Sequence, residues 1–230
     1  IFLNHGCGYK ALKLDDKIQR KTLPDEVYGI SKVFSTSLAT WCGVNEERVL
    51  DLGFPRLDYF FQEKSDLVEN FVKGYNLNSY NKVFLMMLTY RQCDNAAFTE
   101  DYLKNDTGLP LFSTTGELVK LNNFLLNKND LIVVKLHHLQ SQLQVFEKNF
   151  TNIIFIRDED INIKGLQLYQ IIPLADALIT DFSSVTYDYY LMGKPVIHIL
   201  TDLNEYRQSR GFYNDIKIED KKATDKSKTK

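Results

Sequence analysis

The second half of the chain is organised by short, continuous apolar runs. They fall at residues 83–88, 131–136, 153–156, 177–179 and 196–200 and are rich in Val, Ile and Leu. Uninterrupted runs of this kind read as strands buried on both faces, whereas a sheet with one wet face alternates apolar and polar positions. Between them, residues 116–127, 139–148, 166–174 and 183–192 read as helices. Strands and helices in alternation predict a parallel sheet covered on both sides. This is a doubly wound α/β domain, whose ligand is expected beyond the carboxyl ends of the strands.

Residues 1–60 have a different texture. A weak strand is predicted at 29–34 and a helix around 38–42. Asn45-Glu46-Glu47 reads as a further helix start, with Asn45 as N-cap and the acids near the positive end of the helix dipole. Gly53-Phe54-Pro55-Arg56 marks a turn, and Leu67, Val68, Phe71 and Val72 predict a helix across 66–75. Ile1-Phe2-Leu3-Asn4-His5-Gly6 reads as a strand end running into a loop, so the sequence is expected to begin inside a domain. Residues 217–230 are polar and Lys-rich and read as a frayed tail. The longest apolar run has six residues, against the about 20 needed to span a bilayer.

A length of 230 residues suits one generous domain, or one whole domain with part of another. With 44% hydrophobic and 25% charged residues, wholesale disorder is excluded. Lys and Arg number 28 against 30 Asp and Glu, a net charge of −2 that argues against a dedicated nucleic-acid binder. Cys7, Cys42 and Cys93 are odd in number and in no C-x-x-C spacing. A disulfide framework and a structural zinc site are therefore not expected, and a reducing compartment fits.

The most informative stretch is Ala175-Asp176-Ala177-Leu178-Ile179-Thr180-Asp181-Phe182-Ser183-Ser184-Val185, continuing to Tyr189. A buried strand ends, and two hydroxyl residues open a helix whose first N–H groups lack intrahelical partners. Such a turn suits a phosphate, although Ser183 and Ser184 as plain N-caps explain the spacing equally well. There is no Walker A sequence and no G-x-G-x-x-G. His5 lies in a Gly-flanked loop at a strand end, and His137 ends the run at 131–136. Both positions suit acid–base chemistry near neutral pH or a structural hydrogen bond. His138 is expected to face away, and His198 to be a satisfied core residue. Arg91, after a strand, has the geometry to grip phosphate or to make a surface salt bridge. Asp158-Glu159-Asp160 superficially matches a D-x-D metal motif but reads as a solvated acidic loop after a mid-sheet strand. Tyr187, Tyr189 and Tyr190 cannot all face the core from one helix.

The block from Asp176 to Val185, with Asp188-Tyr189 and Lys194-Pro195-Val196, resembles the CDP-glycerol glycerophosphotransferase family of teichoic acid polymerases and primases. That family's pattern is A-D-x-L-I-T-D-Y-S-S-V-x-x-D-(F/Y), then (K/R)-P, and Phe182 replaces its Tyr. His5-Gly6, Gly53-Phe54-Pro55-Arg56, Thr89-Tyr90-Arg91, Lys135-Leu136-His137, Tyr206-Arg207 and Gly211-Phe212-Tyr213 match shorter family motifs in the same order. Asn4 stands where the family has Trp, and Cys7-Gly8 where it has Thr-Pro, both on the acceptor side.

The resemblance implies an α/β fold of glycosyltransferase B type, with two Rossmann-like halves and a C-terminal half that is complete. Residues 1–60 are then the end of the acceptor domain, 61–215 the nucleotide-binding domain and 216–230 a tail. It also implies transfer of glycerol phosphate, or another alditol phosphate, from CDP-glycerol or a related CDP-alditol to a lipid-linked or polymeric acceptor. CMP would be released, with no cofactor and no metal. On that map His5 and His137 are catalytic, while Arg91, Lys135, Thr180, Asp181, Ser183 and Ser184 bind the donor. The expected place of work is the cytoplasmic face of a bacterial membrane, with the membrane-associating part upstream. A sugar-nucleotide glycosyltransferase or epimerase of the same fold, or an inactive nucleotide-binding subunit, remains open on the residues alone.

Overall fold

A computed structural model describes residues 2–3, 23–91, 105–137, 146, 148–209 and 211–212. The expectations for His5, His138, the closing Tyr213, residues 217–230 and most of the helix at 139–148 lie outside the described residues.

Two parallel sheets carry the architecture. The smaller one has the order β1-β2-β3, from β1 (Phe2–Leu3), β2 (Val27–Tyr28) and β3 (Val49–Leu50). Helix α1 (Ser35–Cys42) covers it, burying Leu38, Ala39 and Cys42 against Val27 and Val49. No strand forms at 29–34; the strand lies just before it, at Val27–Tyr28. Ser31 then accepts a hydrogen bond from the Val33 N–H and starts a 3-10 turn at Lys32–Phe34. Gly29 is tightly packed, because a Cβ there would meet Val49 at 3.2 Å. Asn45 precedes only a 3-10 turn, Glu46–Arg48, and its side chain makes no cap bond.

The larger sheet has five parallel strands in the order β6-β5-β4-β7-β8. They are β4 (Lys82–Met87), β5 (Asp130–Lys135), β6 (Ile153–Ile156), β7 (Ala177–Thr180) and β8 (Val196–His198). Its helices are α2 (Asp66–Gly74), α3 (Thr115–Lys128), α4 (Asp158–Asn162), α5 (Leu168–Ile171), α6 (Val185–Tyr190) and α7 (Leu203–Ser209). Period-two alternation sends Leu131 and Val133 of β5 into one core with Phe71, Ile172 and Tyr189. Ile132 and Val134 enter a second core with Leu118, Leu125 and Ile153. Both faces are therefore dry, as the continuous apolar runs required. Capping starts the helices: Ser65 opens α2, and Thr114 with Glu117 forms a capping box on α3.

The sheet places three expectations differently. β6 is an edge strand, so the acidic run after it is not mid-sheet, and it forms α4 instead of a loop. There the Asp160 carboxylate accepts the Arg157 N–H, and acids in a first turn suit the helix dipole. β8 is the opposite edge, which leaves His198 exposed and not in the core. Its Nδ1 lies 3.2 Å from the Asp181 carbonyl oxygen, and its Nε2 lies 3.4 Å from the Tyr190 hydroxyl. Among the described residues no helix is long and apolar enough to cross a membrane.

Candidate active site

Strand order makes β4 central. The chain continues from β4 to β5 on one side and later returns to β7 on the other, so the topological switch lies between β4 and β7. In open α/β sheets ligands bind in the crevice outside the carboxyl ends of strands at such a point. Thr89-Tyr90-Arg91 leaves β4 there, Lys135-Leu136-His137 leaves β5, and Asp181-Phe182-Ser183-Ser184 leaves β7. The sheet therefore gathers all the described donor-site expectations at the ends of three adjacent strands.

Their roles divide. The Thr180 hydroxyl donates to the Met87 carbonyl at 2.6 Å and is fully buried. Asp181, also buried, accepts the Thr89 N–H at 2.9 and 3.0 Å through its two oxygens and pairs with Arg91. Arg91 also reaches Asp202, with Nε 2.7 Å and Nη2 3.3 Å from its carboxylate oxygens. The Arg91 side chain is only 2% exposed, so the ion pair it forms with two acids is buried and not at the surface. Burial alone would lower its pKa, but attraction to Asp181 and the Asp202 contacts outweigh that and raise it, so the guanidinium stays charged. Phe182 stacks on Tyr206 at 4.1 Å, Phe212 closes on both rings, and the guanidinium carbon lies 5.3 and 5.6 Å from the Phe182 and Tyr206 ring centres. These contacts lock the β4 and β7 loops to each other.

Other charged members of the same block brace the fold. Asp176 accepts the Val83 N–H at 2.8 Å, tying the start of β7 to β4. Lys194 donates to the carbonyls of Pro173 and Ala175 at 2.7 and 2.8 Å. The buried Tyr189 hydroxyl donates to Ala175, and burial, with Asp176 nearby, pushes its pKa up to about 12. Tyr187 meets Phe34 edge-on and Tyr190 is exposed, so the three tyrosines of α6 point to three environments.

Ser183 and Ser184 are only half-buried, just beyond the carboxyl end of β7. Ser184 occupies the N-cap position of α6, but its side chain makes no capping bond. On β5, Lys135 Nζ is 2.9 Å from Asp158 and donates to the Leu136 carbonyl. The half-buried His137 ring stacks on Tyr90 with centres 4.7 Å apart and planes within 6°.

Sequence reasoning missed Asp202, Arg56 and the roles of Asp188 and Tyr169. Arg56 of the Gly-Phe-Pro-Arg turn meets Asp188 of α6 through Nε at 3.3 Å and Nη2 at 3.1 Å. The Tyr169 hydroxyl donates to the same carboxylate. Both charged residues stood inside quoted motifs, which was the available signal. Asp202 had none, being a lone acid 111 positions from its partner.

The chain belongs to the CDP-Glycerol:Poly(glycerophosphate) glycerophosphotransferase family, which it matches over residues 2–221. It is 26% identical over 173 residues to a teichoic acid ribitol-phosphate primase of Bacillus spizizenii, covering 74% of this chain and 39% of that protein. With a teichoic acid poly(glycerol phosphate) polymerase of Bacillus subtilis it shares 27% identity over 191 residues, or 81% of this chain and 23% of the relative. The structure aligns with that of the wall teichoic acid polymerase TagF at a TM-score of 0.63 and 24% identity, covering 92% of this chain and 52% of that one. The fold is thus α/β of glycosyltransferase B type. The chain spans well under half the length of these two curated relatives and about half of TagF.

Proposed function

We propose that this protein transfers an alditol phosphate, with sn-glycerol 3-phosphate the first choice, from its CDP ester to a hydroxyl of a lipid-linked or polymeric acceptor. CMP is released, and the product is teichoic acid or a phosphate-containing capsule, made at the cytoplasmic face of the membrane. Family membership across nearly the whole chain supports this, as do relatives named as ribitol- and glycerol-phosphate primases and polymerases and a TagF variant soaked with CDPG.

The observation that carries the reading is the division of labour at the switch point. Asp176, Asp181, Asp188 and Lys194 of the diagnostic block are committed to protein contacts, while the Ser184 side chain, just beyond the carboxyl end of β7, makes no cap bond. In the proposed reaction His5 takes the proton of the acceptor hydroxyl, whose oxygen attacks the phosphorus bearing the alditol. The bond from that phosphorus to the CMP oxygen breaks. Ser183 and Ser184 hold the diphosphate, while His137 offsets charge building on the departing CMP and Lys135, paired with Asp158, steadies the end of β5 beside it. Preorganised donors of this kind usually supply the largest catalytic contribution. Thr180, Asp181 and Arg91 act one layer back, by fixing the loop that presents the serines.

Calorimetric titration of the full-length protein with CDP-glycerol, CDP-ribitol and a UDP-sugar tests the donor class. CDP-alditol binding weakened about tenfold by Ser184→Ala is expected, the scale of one hydrogen bond to a charged group. Tight UDP-sugar binding without CDP-alditol binding would overturn the reading in favour of a sugar-nucleotide enzyme.

A further inference from the structure

Helix α6 carries the serine turn at its start, yet it spans only Val185–Tyr190. A helix of six residues has too few internal hydrogen bonds to hold its own position, so tertiary contacts set it. One is the Tyr189 hydroxyl on Ala175, within the large sheet's own core. Another comes from a segment remote in sequence. Asp188 accepts from Arg56 Nε and Nη2 and from the Tyr169 hydroxyl, with its side chain only 2% exposed.

Arg56 is itself held. Its guanidinium carbon lies 4.1 Å from the Phe54 ring centre and 5.2 Å from that of Tyr169, and Tyr169 stacks on Phe60 at 5.5 Å. Pro55 fixes the start of the 3-10 turn Pro55–Phe60 that carries both Arg56 and Phe60. The turn at 54–60 therefore grips α6 through a planar, two-nitrogen contact that a lysine could not reproduce. Asp188 lies one helical turn after Ser184, so the contact anchors the turn of helix that the serines open.

We propose that Arg56 and Asp188, closed by Tyr169, are positioning residues that set the Ser183-Ser184 turn for the donor diphosphate. The proposal rests on the donor-binding reading above. It differs from a purely stabilising ion pair in one consequence: restoring stability without restoring the pair must not restore donor binding.

The test compares Arg56→Met, Arg56→Lys and the double variant Arg56→Met/Asp188→Asn in the full-length protein. Three quantities are measured: thermal midpoint, affinity for CDP by calorimetry, and KM and kcat for CMP release from CDP-glycerol. Arg56→Met leaves a buried carboxylate without its cation and loses stability, whereas removing both charges recovers much of it. The expected result is that the double variant still binds CDP about tenfold more weakly and shows a raised donor KM, because the contact that fixes α6 is gone. Arg56→Lys keeps the charge and falls between, with stability nearer wild type than its CDP affinity. CDP affinity that returns to the wild-type value with stability would overturn the proposal and leave the pair as a brace. Wild-type protein that binds CDP but releases no CMP would sink the transferase reading, while the CDP affinities of the variants still decide the positioning claim. Wild-type protein that fails to bind CDP would overturn both.

Discussion

Replacing Arg91 by Met separates two uses of one guanidinium. If it grips a phosphate of the donor, its loss weakens binding and leaves the fold intact. The structure instead buries it against Asp181 and Asp202, with the Thr89 N–H on the same Asp181 carboxylate. Removing one partner from a buried pair costs about 3–5 kcal/mol, because the remaining charge stays buried without compensation. Here two carboxylates lose their shared cation, although Asp181 keeps the Thr89 N–H, so the middle of that range is expected. For a chain of this size about 2–4 °C is lost per kcal/mol, so about 4 kcal/mol gives a fall of about 8–16 °C in the thermal midpoint. A thermal scan followed by far-UV circular dichroism measures the midpoint, and urea unfolding measures the free energy, with an unchanged m-value showing that stability alone has moved. Arg91→Lys keeps the charge but not the fork, so its loss is smaller. An unfolding free energy within about 1 kcal/mol of wild type, together with a large fall in CDP-glycerol affinity, would refute this reading and return Arg91 to the donor.

Three further outcomes follow from other contacts. Tyr90→Phe keeps the stacked face against His137 and should leave kcat near wild type; Tyr90→Ala removes a contact of about 0.5–1.5 kcal/mol and should lower kcat up to about tenfold, as steady-state CMP release would show. The buried Thr186 hydroxyl has no hydrogen-bond partner among the described residues, so Thr186→Val is expected to raise stability by up to about 1 kcal/mol; a lower urea midpoint would show that the hydroxyl is engaged. Burial pushes the Asp188 carboxyl above its ordinary value, against the hydrogen bond from Tyr169 and the charge of Arg56. The fold then holds a proton there more readily than the unfolded chain, so this contribution is complete below the unfolded pKa of about 4 and is lost as pH rises through the raised folded value. The stability advantage of wild type over Asp188→Asn should therefore narrow as pH rises through that window, and a widening gap in urea midpoints would contradict it.

The large sheet was legible because its inner strands are buried on both faces. Five apolar runs needed no tertiary information, and Ile153–Ile156 emerged with the predicted bounds. What failed was whatever depended on strand order. Nothing local shows that β6 and β8 are edges, so the acidic run became a loop and His198 became a core residue. The smaller sheet was poorly legible because its described strands are two residues long, too short for any period to register. The motifs named loops that the sheet gathers at the carboxyl ends of adjacent strands, but not the contacts within them. Whether Arg91 faces a phosphate or Asp202 depends on a contact 111 residues away, and a motif cannot carry that. The Arg56–Asp188 pair, 132 residues apart, was hidden in the same way.

The most direct measurement is CMP release from CDP-glycerol by the full-length protein in the presence and absence of a lipid-linked acceptor, comparing wild type with His5→Ala and Ser184→Ala. Acceptor-dependent release that collapses in both variants is the predicted result. It would join the general base to the serine turn in one active site. No release from CDP-glycerol or CDP-ribitol, alongside tight binding of a UDP-sugar, would contradict the account and make the serine turn the phosphate site of a different enzyme.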